Sequence, residues 1–106
     1  MNFLRNLFGK KSKGKDTMDI AVELMTVVVD LMVQKNFNPS APEVTAYLRD
    51  IATPDIMKTI SGCDDLLEQY KAAPKSFMMN PEAIANTRKA LVEEVKRRGE
   101  THLLNV

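Results

Sequence analysis

The alternation of apolar and polar positions is most regular between residues 16 and 35. Polar side chains recur there at steps of three or four residues, which is the spacing of one stripe on an α-helix. They are Asp19, Glu23, Thr26, Asp30 and Gln34. Almost every other position is apolar, so such a helix needs cover on most of its sides. We predict a helix that begins after Asp16 as N-cap and lies at the centre of the fold or in a subunit interface.

Four positions in this helix have a second interpretation. Residues 26–29 have the sequence Thr-Val-Val-Val, and β-branched side chains favour a strand over a helix. The polar stripe, however, has the spacing of a helix and not the period of two that a strand shows. We therefore predict helix, while the pattern leaves strand open at these four positions.

Prolines and capping residues divide the rest of the chain into further helices. Three predicted helix starts each combine a polar N-cap with a proline in the first turn. They are Ser40 with Pro42 and Glu43 as an S-x-x-E capping box, Thr53 with Pro54, and Asn80 with Pro81. Ser61 and Gly62 are predicted to interrupt or kink the helix that begins at Thr53, and Gly99 to end the last helix.

These segments predict an all-α fold, a small four- to five-helix bundle or orthogonal helical array with a flexible basic N-terminal leader. The expected divisions are residues 1–15 for an amphipathic basic leader and linker, 16–99 for the helical domain and 100–106 for a flexible tail. In the last helix, Glu93 with Arg97 and Glu94 with Arg98 have the i,i+4 spacing of ion pairs, each of which contributes roughly 0.3 kcal/mol.

The leader, residues 1–15, is apolar first and basic afterwards. Its apolar side chains share one face if the segment is helical; they are Phe3, Leu4, Leu7 and Phe8. Its basic side chains are Arg5, Lys10, Lys11, Lys13 and Lys15. The leader holds five of the chain's 15 basic residues and none of its 14 acidic ones, which gives +5 on the leader and −4 on the rest. This asymmetry favours contact with an anionic surface.

The leader has three further interpretations besides plain disorder at a terminus. An apolar face beside lysines is typical of a helix that lies reversibly on an anionic membrane. The same face could fill a groove on a partner protein, or fold back onto the protein's own core. The order of short apolar residues before a lysine cluster resembles the membrane-targeting start of the MinE family of bacterial division regulators. That resemblance covers residues 1–15 alone, and the rest of the chain matches nothing of that family's dimerisation domain.

Residues that catalysis or metal binding requires are scarce. Cys63 is the only cysteine and His102 the only histidine, so an internal disulfide, a cysteine-rich zinc cluster and a site with several histidine ligands are excluded. Cys63 and His102 could form a dyad, but no third group that would orient the histidine is indicated. Asp64 and Asp65 are assigned to the start of a helix after Gly62 rather than to a metal. We expect no enzymatic activity, no cofactor, no metal and no small-molecule substrate.

Nucleic-acid binding is the third and weakest functional hypothesis. Residues 42–52 and 54–60 have the arrangement of a helix-turn-helix, but the second segment contains Lys58 as its only basic residue. A helix that enters a DNA groove needs basic side chains to neutralise phosphates. The sequence therefore disfavours nucleic acid as a partner.

Two apolar groups are candidates for a protein interface. They are Met25, Val29 and Met32 in the first predicted helix, and Phe77, Met78 and Met79 in the loop before Pro81. The loop group is either a plug that packs across the helices or a methionine-rich contact surface.

We predict a cytoplasmic, non-enzymatic interaction or regulatory protein that associates with itself or with a partner protein. Its leader would dock reversibly on an anionic membrane or a protein, which would place the protein at the membrane periphery. The alternative is an adaptor or regulatory domain with no membrane role, whose leader packs on its own body.

Overall fold

Four α-helices form within the part of the chain that the computed structural model describes, residues 16–104. They are α1 (Thr17–Val33), α2 (Pro42–Leu48), α3 (Thr53–Ala72) and α4 (Pro81–Arg97), with 3-10 turns at Pro74–Ser76 and Thr101–Leu104. No strand occurs in this range, so the predicted all-α class is confirmed for it. The leader lies outside the described residues.

Helix α1 begins where the sequence predicts. The side chain of Asp16 accepts a hydrogen bond from the backbone N–H of Asp19 at 3.0 Å, which is the geometry of an N-cap. Residues 26–29 are helical throughout, so the spacing of the polar stripe and not β-branching indicated the correct structure. Tertiary packing overrides a weak local preference of this kind, and α1 contacts all three other helices.

The C-terminal end of α1 forms a Schellman motif with a lysine at the left-handed position. The N–H of Asn36 donates to the carbonyl of Leu31 at 2.8 Å, and the N–H of Lys35 donates to the carbonyl of Met32 at 3.0 Å. Lys35 therefore has φ 61°, a conformation that a Cβ disfavours. At the end of α4 the same position is occupied by Gly99, with φ 74°, and this confirms its predicted role.

Replacing Lys35 by glycine is expected to raise the free energy of unfolding by about 0.5–1 kcal/mol, because glycine adopts the left-handed conformation without steric cost. Urea denaturation followed by circular dichroism measures the change. The matched control is Lys35→Ala, which removes the charge but keeps the Cβ and should give no gain. An equal gain from both variants would contradict the conformational explanation.

Helix α3 is unbroken from Thr53 to Ala72, so the predicted interruption at Ser61 and Gly62 is wrong. A glycine inside a helix costs about 1 kcal/mol relative to alanine, and the packing of the residues on either side outweighs this. Asp64 consequently lies in the middle of a helix, where it forms an ion pair with Arg88 of α4, and does not begin one.

Ser40 and Thr53 do not act as N-caps. The N-cap positions of α2 and α3 are alanines without a side-chain hydrogen bond. Both hydroxyl oxygens instead accept hydrogen bonds from α4: Ser40 Oγ from Arg97 Nη1 at 3.0 Å, and Thr53 Oγ1 from Arg98 Nη1 at 2.9 Å. Arg98 Nη2 also donates to the carbonyl of Leu48 at 2.9 Å. Arg97 thereby fixes the segment before α2, and Arg98 fixes the junction of α2 and α3, against the end of α4.

One carboxylate holds both arginines in place. Glu94 accepts from Arg97 Nη2 at 2.7 Å and from Arg98 Nε at 2.8 Å, and it is only 7% exposed. Burial alone would raise the pKa of Glu94, but the hydrogen bonds and charges of the two arginines outweigh burial and lower it. The predicted pair of Glu93 with Arg97 is wrong, because the carboxylate of Glu93 lies 3.6 Å from Lys96 Nζ.

The core lies where the four helices meet, and α3 and α4 pack against each other most extensively. Its largest fully buried apolar side chains come from every helix: Ile20 and Leu24 of α1, Leu48 of α2, Ile56 of α3, and Ile84 and Leu91 of α4. The turn Thr101–Leu104 contacts α4, and Leu104 packs partly against the core. Within residues 16–104, no helix combines the length and the apolar character that crossing a bilayer requires.

Candidate functional site

Helix α1 has two apolar faces, and only one of them is buried. The buried face consists of Ile20, Leu24, Val28 and Leu31. The second, which we name the outer face, consists of Met18, Val22, Met25 and Val29, spaced at steps of four, three and four. Met18, Val22 and Val29 are 49%, 60% and 38% exposed. Large apolar side chains arranged in one exposed row are typical of a contact surface.

The outer face forms one wall of an open depression of about 570 Å³. Leu66 of α3 lines the opposite wall, and Met79, from the segment between α3 and α4, also lines it. A second depression of about 430 Å³ adjoins the first, because Met18, Met25 and Leu66 line both. We name the two together the α1–α3 groove.

The inner end of the groove follows from the sequence of α3. Gly62 and Cys63 line the second depression together with Asp16, the residue that begins α1. A Cβ built on Gly62 would meet nothing within 4 Å. An alanine at this position would therefore displace no neighbouring side chain.

An acidic edge borders the outer face on the side away from α3. Asp19, Glu23 and Asp30 lie there, because Met18 and Met25 of the same helix face α3 and successive residues turn by a fixed angle. Glu23 also contacts α2, because the hydroxyl of Tyr47 donates a hydrogen bond to its carboxylate at 2.9 Å. Burial and the neighbouring Glu23 raise the pKa of Tyr47 above its ordinary value, so the phenol remains a donor.

The predicted interface residues fall into two sets. Met25, Val29 and Met79 line the groove. Met32 packs partly against the core instead, and Phe77 packs edge-on against the ring of Tyr70 with centroids 5.4 Å apart. Met78 is 92% exposed and lies away from the groove lining. Within the loop, Phe77 therefore packs inward as a plug would, whereas Met79 lines the groove.

Sequence reasoning missed four apolar residues that line the first depression: Met18, Ala21, Val22 and Leu66. The missed residues on α1 share the helical spacing of Met25 and Val29. Their position around the helix axis could therefore have separated them from the buried residues of α1. The wall that α3 contributes could not be predicted, because it depends on how α3 packs against α1.

Cys63 and His102 do not have the character of a catalytic dyad. Cys63 is 2% exposed, and burial raises the pKa of its thiol to about 11, helped by the charge of Asp64 and opposed by Arg88. The thiol is therefore protonated near neutral pH, where a thiolate would be the nucleophile. His102 is exposed in the turn after α4. Among the described residues, no group of three or more His, Cys, Asp or Glu side chains is placed to hold a metal ion.

The chain matches no protein-family model, and no curated protein or solved structure is detectably similar to it. The chemistry of the groove and of the leader is therefore the basis for a functional proposal.

Proposed function

We propose that this is a small non-enzymatic interaction protein whose leader docks reversibly on anionic membrane surfaces and holds the helical body there. The observation that carries the proposal is the composition of residues 1–15, an apolar face followed by lysines without one acidic residue. An amphipathic segment of this kind lies in the membrane interface with its apolar face in the acyl region.

The expected strength of binding follows from the leader's charge. Each basic residue near an anionic membrane contributes about 1 kcal/mol, and this contribution falls off within a Debye length of the surface. A segment of about two helical turns also loses part of the gain in becoming helical, because short helices are marginal in water. The binding should therefore be reversible and sensitive to salt.

The rest of the chain supports the leader as the attachment point. The remaining residues carry a formal charge of −4, which an anionic surface repels. A body of that charge binds an anionic membrane only through a separate basic segment.

Co-sedimentation with lipid vesicles tests the proposal. The full chain should pellet with anionic vesicles and not with neutral ones, and binding should weaken as salt rises. Replacing Lys10 and Lys11 by glutamine should lower affinity for anionic vesicles at low salt by about tenfold or more. The matched control replaces Lys58 and Lys75, two exposed lysines of the body, by glutamine and should bind like the unaltered chain.

Two outcomes would overturn the membrane role. One is the absence of binding to anionic vesicles at low salt. The other is an equal loss from the leader variant and the body variant, since binding would then depend on total charge. In either case the alternative, an adaptor without a membrane role, becomes the better account.

A further inference from the structure

We infer that the α1–α3 groove is the docking site for residues 3–8 of the same chain. The leader occupies the groove when it is away from a membrane, so that one apolar face serves two alternative surfaces. The inference deepens the proposed function, and it rests on that function only for the membrane-bound state.

The segment that connects the apolar part of the leader to the groove is long enough for the leader to reach the groove of its own chain. Asp16, to which the leader is attached, itself lines the groove. Seven residues, 9–15, separate the apolar part of the leader from it, and an extended chain spans at most about 3.3–3.6 Å per residue, or about 25 Å in all. The outer face from Met18 to Val29 is about 16 Å long at 1.5 Å per helical residue. Residues 3–8 can therefore reach every part of the groove.

The groove and the leader also match in chemistry. The leader offers Phe3, Leu4, Leu7 and Phe8 on one helical face. The lining of the groove is largely apolar, and Asp16 is its one charged residue within the described part of the chain. An amphipathic helix placed in a hydrophobic groove is an established mode of recognition.

Charge selects the leader over a second copy of the body. Asp19, Glu23 and Asp30 border the outer face, so two outer faces packed together would bring two acidic edges into one interface. The leader instead brings Arg5 and the lysines after it to that edge, with no acidic residue of its own. Opposite charges across an interface favour the correct partner, and like charges disfavour the wrong one.

Occupation of the groove lowers the apparent affinity of the leader for membranes. A segment that is free for only a fraction of the time binds a second surface with an affinity reduced by that fraction. A substitution in the groove that releases the leader should therefore strengthen membrane binding, although it touches no residue that contacts lipid.

Methionine methyl groups report directly on the groove. In the full chain, the methyl resonances of Met18, Met25 and Met79 should shift when Phe3, Leu7 and Phe8 are all replaced by serine, because the leader's aromatic rings would no longer lie over them. Met78, which is 92% exposed outside the groove, is the control within the same spectrum. Unchanged groove methyls would overturn the inference. Shifts that disappear on dilution would overturn it too, since they would identify a second copy as the occupant.

Vesicle affinity provides the second measurement. Val22→Gln places an uncharged polar side chain in the groove and should raise the affinity of the full chain for anionic vesicles by about three- to tenfold, as expected when most leaders are docked. Val33→Gln places the same side chain on the same helix at a residue outside the groove lining that is 75% exposed, and should not raise it. Equal affinities of the two variants would contradict competition between the two surfaces.

The two experiments separate the inference from the function on which it rests. If the unaltered chain binds no vesicles, the proposed function fails, and the methyl resonances still decide whether the leader docks. If the chain binds vesicles but the methyl resonances of the groove do not change when the leader is altered, the membrane role stands and the docking inference fails.

Discussion

Replacing Glu94 by alanine is expected to lower the free energy of unfolding by about 2–3 kcal/mol, because the change leaves two arginines without the carboxylate that orients them. Glu94 receives hydrogen bonds from both Arg97 and Arg98. Arg97 in turn binds Ser40, just before α2, and Arg98 binds Thr53, at the start of α3. The estimate is below the usual cost of breaking a fully buried pair, since the side chain of Arg97 is one-third exposed. Urea denaturation measures the loss.

Glu93→Ala is the matched control on the adjacent position. Its carboxylate pairs with Lys96 at the surface, with side chains 39% and 50% exposed, and such pairs contribute little. A change within about 0.5 kcal/mol is expected there. If Glu94→Ala lowers the free energy of unfolding no more than Glu93→Ala does, the ion pairs of Glu94 with Arg97 and Arg98 add nothing to stability.

The same carboxylate makes stability depend on pH. The pKa of Glu94 lies below its ordinary value of 4.5 in the folded chain, so the unfolded chain binds the proton more readily. The contribution of Glu94 to stability is complete at pH values above its ordinary pKa. It is lost as the pH falls through the lower pKa of the folded state. The difference in stability between the unaltered chain and Glu94→Gln should therefore be full near neutral pH and decrease in acid below pH 4.5.

Local patterns identified the helices well, and they failed where distant side chains intervene. The polar stripe of α1 and the Asn80 cap depend on residues close in sequence, and both are as predicted. The hydroxyls of Ser40 and Thr53 also have the spacing of caps, but arginines 57 and 45 residues away bind them instead. No pattern within one helix contains that information.

Gly62 shows a second limit of the sequence. A Ser-Gly pair commonly marks a helix end, yet here the glycine lies within α3 and lines the groove. The apolar character of α1 indicated that more than one side needed cover, and the phase of its apolar residues could have separated the outer face from the buried face. The groove itself could not be predicted, because it exists only once α3 packs beside α1.

Replacing Leu24 by alanine is expected to lower the free energy of unfolding by about 3 kcal/mol, through lost transfer energy and the cavity left behind. Leu24 is fully buried on the inner face of α1, whereas Val33 of the same helix is 75% exposed. Val33→Ala should change stability by no more than about 0.5 kcal/mol. Both variants place alanine in the same helix, so helix propensity favours neither of them strongly. The difference between their free energies of unfolding therefore reports packing. Equal losses would mean that the exposed side of α1 is covered along its whole length, as in an obligate dimer, and not only in the groove beside α3.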